Sequence, residues 1–87
     1  MPRICSFDGM TFVLYYNDHD PPHFHVISAD VETRIEILTG EYYSGDPALP
    51  RTKERAVLRW LETWRSAILQ EWDNCRDGIA PGKIPPL

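Results

Sequence analysis

Val31-Glu32-Thr33-Arg34-Ile35-Glu36-Ile37-Leu38 alternates strictly. Val31, Thr33, Ile35 and Ile37 fall on one side, and Glu32, Arg34 and Glu36 on the other. A period of two matches a β-strand, whose successive side chains point to opposite faces, so one face is buried and one is wet. The buried face needs a covering layer, and the rest of the chain has to supply it.

Upstream, residues 10–16 (Met-Thr-Phe-Val-Leu-Tyr-Tyr) are β-branched and aromatic and read as a strand. Asn17-Asp18-His19-Asp20-Pro21-Pro22 interrupts it as a rigid loop, because the two prolines fix φ and offer no amide donor. His23 to Ile27 resumes a strand, and Ser28-Ala29-Asp30 makes a turn. Downstream, Thr39-Gly40 is a turn. Glu41-Tyr42-Tyr43 is at most a short fourth strand, and Ser44 to Pro47 is a loop.

After Pro50 the period changes. Val57, Leu61, Trp64, Ile68, Trp72 and Cys75 recur at steps of three and four, forming an apolar stripe widened by Trp60 and Ala67. Pro50 suits the first helical position, and Gly78 is a terminator with Pro81 beyond it. The spacing predicts one helix over 50–76, with a break near Ser66 as the variant. The architecture expected is α+β: a three- or four-stranded antiparallel meander, then one long C-terminal helix packed on one face. One domain spans 1–87, divided into a strand-rich part over 1–45, the helix over 50–76 and an extended tail over 77–87. Ile84 and Leu87 are the residues that would pin the tail.

The 87 residues suffice for one small core. Composition is that of a globular chain, with 43% hydrophobic and 25% charged residues. The net charge of −4 lacks the basic field of a dedicated nucleic-acid binder. Residues 1–50 carry two cations against eight carboxylates, and residues 51–87 seven against five. No stretch approaches the about 20 apolar residues of a membrane span, and the first residues lack a secretory pattern. A cytoplasmic location follows as the expectation, with Cys5 and Cys75 as free thiols.

All three histidines fall within Asn17-Asp18-His19-Asp20-Pro21-Pro22-His23-Phe24-His25. Three readings compete. Imidazoles ligate zinc, nickel or copper: His23 and His25 share a strand face, His19 is expected to fold back across the prolines to join them, and Asp18 serves as a fourth ligand or orients one, although H-x3-H-x-H is not a defined zinc signature. Alternatively, His23 and His25 act as acid and base on RNA without metal, with Asp18 orienting His19. The third reading is structural: Asp18 and His19 cap the turn, His23 bonds a carbonyl, and Phe24 is core.

Arg51, Arg55 and Arg59 lie at i, i+4, i+8 on the helix and are candidates for binding an anion or an acidic partner. The plainer reading is a solvated face with Arg59 paired to Glu62. Trp60, Trp64 and Trp72 are expected in the core. No Gly-rich phosphate loop or C-x-x-C pair is present, so the leading expectation carries no cofactor and no metal.

The chain also resembles a family. Met1-Pro2, Ile4, Phe7 and Gly9, the block Tyr16 to Val26, Leu49-Pro50, Val57 to Trp60, Ile68 to Trp72 and Ile84 to Leu87 look like the small bacterial proteins of domain-of-unknown-function family 4160. Tyr42–Ala48 and Arg51-Thr52-Lys53 depart from its pattern. The resemblance implies a component of a toxin–antitoxin-like two-protein module that binds a small cognate protein, with Asn17, Asp18, His19, Pro21, Pro22, His23, Phe24 and His25 as the residues that matter. RNA is the alternative partner, as substrate of a histidine-dependent endoribonuclease, and a His-based metal-binding module is the third reading. Homodimerisation through a free edge strand is the other association this architecture permits.

Overall fold

The computed structural model describes residues 2–87. Strands β1 (Arg3–Phe7), β2 (Met10–Val13), β3 (His23–Ile27) and β4 (Glu32–Glu36) precede one helix, α1 (Arg51–Arg76). The sheet order is β1-β2-β3-β4, with every neighbouring pair antiparallel. The α+β meander followed by one C-terminal helix is the observed architecture.

The fourth strand is not where the sequence reading puts it. It is β1, at the start of the chain, joined to β2 by Asp8-Gly9. Both turn residues have positive φ (50° and 74°), the twist that lets a two-residue turn match two paired strands. Glu41-Tyr42-Tyr43 contributes only an isolated bridge from Tyr42 to Ile35. Flanking bonds from Glu36 N–H to the Glu41 carbonyl (2.9 Å) and from Tyr43 N–H to the Arg34 carbonyl (3.1 Å) place this segment along the edge of β4. The strand expected over 10–16 stops at Val13.

Pairing sets the two faces. Phe12 opposes Val26, Val26 opposes Thr33, and Phe24 opposes Ile35. All five are buried and form the helix-facing side. On the other side Val13 opposes His25, His25 opposes Arg34, and His23 opposes Glu36. The alternation of β4 therefore carries through, with Thr33, Ile35 and Ile37 buried and Glu32 exposed.

Helix α1 covers the apolar face with Val57, Trp60, Leu61, Ile68, Trp72 and Cys75, all buried. The Trp60 ring stacks on Phe12 at 4.5 Å between centroids and meets Phe24 edge-on at 5.5 Å. Such pairs add about 0.5–1.5 kcal/mol to the burial itself. Pro50 is the N-cap rather than the first helical residue, and Glu54 in the first turn complements the helix dipole. At the far end Ile79 N–H donates to the Asn74 carbonyl and Gly78 N–H to that of Cys75. With Gly78 at φ 77° this is a Schellman closure. The helix is kinked at Trp64 (φ −116°, ψ 15°), two residues before the expected break. There the Thr63 hydroxyl donates to the Arg59 carbonyl (2.9 Å), a back-bond that bends helices.

The tail is tied down. Ile84 is buried and its N–H donates to the Ile4 carbonyl, while the Trp60 indole donates to the Pro85 carbonyl. Leu87 is half exposed and pins nothing. Cys5 and Cys75 are both free and buried, and burial pushes both thiols up. Among the described residues no helix is long and apolar enough to cross a membrane.

Candidate functional site

The histidine block turns back on itself. The loop over 17–22 leaves β2, and Asp18 comes to lie against the start of β3. The Asp20–Pro21 peptide is cis. The loop is held at its end by Ile37 N–H, which donates to the Pro22 carbonyl (2.9 Å). Because His23 and His25 are two apart on a strand, they project on one side. Their ring centroids are 5.1 Å apart.

Both imidazoles address one atom. Asp18 Oδ2 lies 3.2 Å from His23 Nε2 and 2.9 Å from His25 Nε2. The side chains are 4% (His23), 12% (His25) and 22% (Asp18) exposed, so the cluster is half-sunk, with Asp18 at its rim. His25 is braced by the Tyr15 ring, edge-on at 4.5 Å, and His23 by Trp72 from α1 at 5.2 Å.

The second nitrogen of His23 is also engaged. Nδ1 lies 2.9 Å from the Pro21 carbonyl oxygen and 2.7 Å from the Tyr43 hydroxyl, and that hydroxyl donates to the same carbonyl at 2.8 Å. Tyr43 is held in turn. The Arg34 guanidinium sits 4.6 Å above its ring, and Arg34 makes a two-pronged pair with Asp46 (2.9 Å for each contact). That pairing holds the Asp46 carboxyl below its usual range, and Asp46 also accepts from Arg34 N–H. Burial, with Glu36 nearby, pushes the Tyr43 phenol up.

The structure thus brings together Asp18, His23 and His25, with Pro21 supplying a carbonyl. It does not bring in His19, which is exposed and lies outside the cluster. Asp18 serves His23 and His25, not His19 as the acid–base reading has it. Asn17 is exposed, Pro22 anchors the loop, and Phe24 is core on the opposite face. Arg51, Arg55 and Arg59 are exposed along α1, away from the cluster's contacts. Among the described residues Arg59 makes no ion pair with Glu62. Asp20 instead pairs with Arg76 at 3.1 Å, a half-exposed contact worth little.

Sequence reasoning missed Tyr43, Arg34 and Asp46. Arg34 was visible as a wet-face residue of β4, and its register opposite His25 follows once β3 and β4 pair. Nothing local marks Tyr43 or Asp46, because their contacts depend on how the segment after β4 folds back. No enclosed cavity is found among the described residues.

Comparison with curated proteins and with solved structures finds no match. The family model described as "Domain of unknown function (DUF4160)" matches residues 9–73, which include the whole histidine block and most of α1, and the chain belongs to that family.

Proposed function

We propose that this chain is the small protein-binding component of a two-protein module of the toxin–antitoxin type, acting in the cytoplasm, and that its partner engages the surface around the histidine loop. The observation that carries the reading is the pair of exposed apolar side chains flanking the loop in the sequence and at the end of α1. Tyr16, one residue before the block, is 42% exposed. Ile79, three residues past Arg76, is 55% exposed, and Arg76 reaches Asp20 in the loop. Exposed large apolar side chains beside a charged rim are the usual anchors of protein interfaces. Two unpaired thiols fit a reducing compartment.

The ribonuclease reading finds less support. Acid and base must reach a phosphodiester from two positions, whereas here both Nε2 atoms face one carboxylate oxygen.

Co-purification of the tagged full chain with the product of the adjacent open reading frame tests the proposal. Joint replacement Tyr16→Asp and Ile79→Asp abolishes capture while the far-ultraviolet spectrum is unchanged. Capture that survives both changes, or that is lost instead on Arg51→Glu, Arg55→Glu and Arg59→Glu, overturns the placement. Absence of any captured product overturns the function.

A further inference from the structure

The geometry points to a site for one divalent ion of the zinc class, held by Asp18 Oδ2, His23 Nε2 and His25 Nε2. This departs from the expectation of no metal and stands apart from the partner reading.

The Pro21 carbonyl can only accept, and it lies 2.9 Å from His23 Nδ1. The hydrogen of a neutral His23 ring therefore sits on Nδ1, shared between Pro21 and the Tyr43 oxygen, whose own hydrogen goes to the same carbonyl. Nε2 is left with a bare lone pair. That lone pair faces a carboxylate oxygen at 3.2 Å, and the same oxygen meets a second imidazole nitrogen at 2.9 Å. His25 Nε2–H can donate to that oxygen, but His23 Nε2 has no hydrogen to offer it, so a lone pair and a carboxylate oxygen 3.2 Å apart call for a positive centre beside them.

The spacing suits a metal ion. One ligand atom from each of the three residues lies within 4.8 Å of the other two. Two ligands on a tetrahedral zinc ion, each about 2.0–2.1 Å from the metal, are about 3.3 Å apart. The observed separations from Asp18 fall near that value, and a small outward shift of each ligand admits the ion. The choice of ion follows from the donors. Two imidazoles and one carboxylate suit zinc, cobalt or nickel, whereas magnesium and calcium prefer oxygen alone.

The surroundings are those of a metal site. A ligating imidazole commonly donates its other N–H to a carbonyl or other acceptor, which fixes the ring and its tautomer. Pro21 and Tyr43 do this for His23, and Arg34 with Asp46 steadies Tyr43. Three protein ligands leave a fourth position, on the side where Asp18 is most exposed, for water.

The test is competition of the full, untagged chain with a chromophoric chelator for Zn2+, with Mg2+ as control. One Zn2+ per chain is expected, unaffected by millimolar Mg2+. His25→Ala and Asp18→Asn, both at partly exposed positions, each weaken binding at least a hundredfold. His19→Ala changes it less than twofold. No binding, binding untouched by His25→Ala, or an equal loss on His19→Ala overturns the site. If a variant fails to fold, Co2+ titration of the unmodified chain decides. Visible absorption bands saturating at one equivalent support the site, and a spectrum like that of aqueous Co2+ overturns it.

Discussion

The Tyr43 hydroxyl lies 2.7 Å from His23 Nδ1, across 20 residues of chain, and so couples the segment after β4 to the first residue of β3. The contact fixes which nitrogen of His23 faces Asp18, and it depends on Arg34 and Asp46 holding the phenol in place.

Tyr43→Phe removes that hydroxyl and keeps the ring under Arg34. The Pro21 carbonyl keeps one partner, so the stability loss is about 1 kcal/mol, measured by urea denaturation. Zinc affinity falls about 10- to 100-fold, the usual effect of removing a group behind a ligand. An unchanged affinity would detach Tyr43 from the site.

Thr33→Val is expected to stabilise the domain. Thr33 is buried in β4, facing the core, and its hydroxyl has no partner among the described residues. Replacing a buried, unsatisfied hydroxyl by a methyl of similar size gains about 1 kcal/mol. A fall in the thermal midpoint would mean that the hydroxyl has a partner.

Trp60 and Trp72 are equally buried but differently satisfied. The Trp60 indole donates to Pro85, whereas Trp72 Nε1 has no partner among the described residues. Trp60→Phe orphans a carbonyl and loosens the tail, whereas Trp72→Phe removes an unpaired donor. Trp60→Phe is therefore expected to cost at least about 1 kcal/mol more than Trp72→Phe in chemical denaturation. Equal costs would contradict the roles assigned.

Tyr42 contributes to the alkaline limb of stability. Burial, followed by its hydrogen bond to Glu54 (2.6 Å), pushes the phenol up to about 12. A folded value above the unfolded value of about 10 means stability is fully present below pH 10 and is lost as pH rises towards 12. Stability curves across that window should drop for the unmodified chain. For Tyr42→Phe they start about 1–2 kcal/mol lower and fall less steeply, since the Glu54 and Leu49 contacts are already gone.

Much of this fold was legible because its signals are periodic. The alternation Val31–Leu38 and the stripe Val57–Cys75 each follow one geometric rule over many residues, and both survive folding. Strand β1 was missed because its signal is short. Asp8-Gly9 marks the turn, but Arg3–Phe7 alternates too briefly to stand out, and the bulge between Arg3 and Cys5 buries Ile4 and Cys5 together. At the site, His23 and His25 were legible from strand parity. Asp18 was legible as a ligand or orienter in their company, but not that it serves both rings while His19 stays out. Both depend on the path of the loop through two prolines, which spacing alone does not determine.

His23 carries its proton on Nδ1 and presents Nε2 to Asp18 beside His25. Long-range proton–nitrogen correlation spectra of the full chain, labelled with nitrogen-15 at histidine, read this directly. The Nδ1–H tautomer is expected for His23, and one equivalent of Zn2+ is expected to shift the Nε2 resonances of His23 and His25 and leave those of His19 in place. A proton on His23 Nε2, or a zinc response shared by all three histidines, would contradict it.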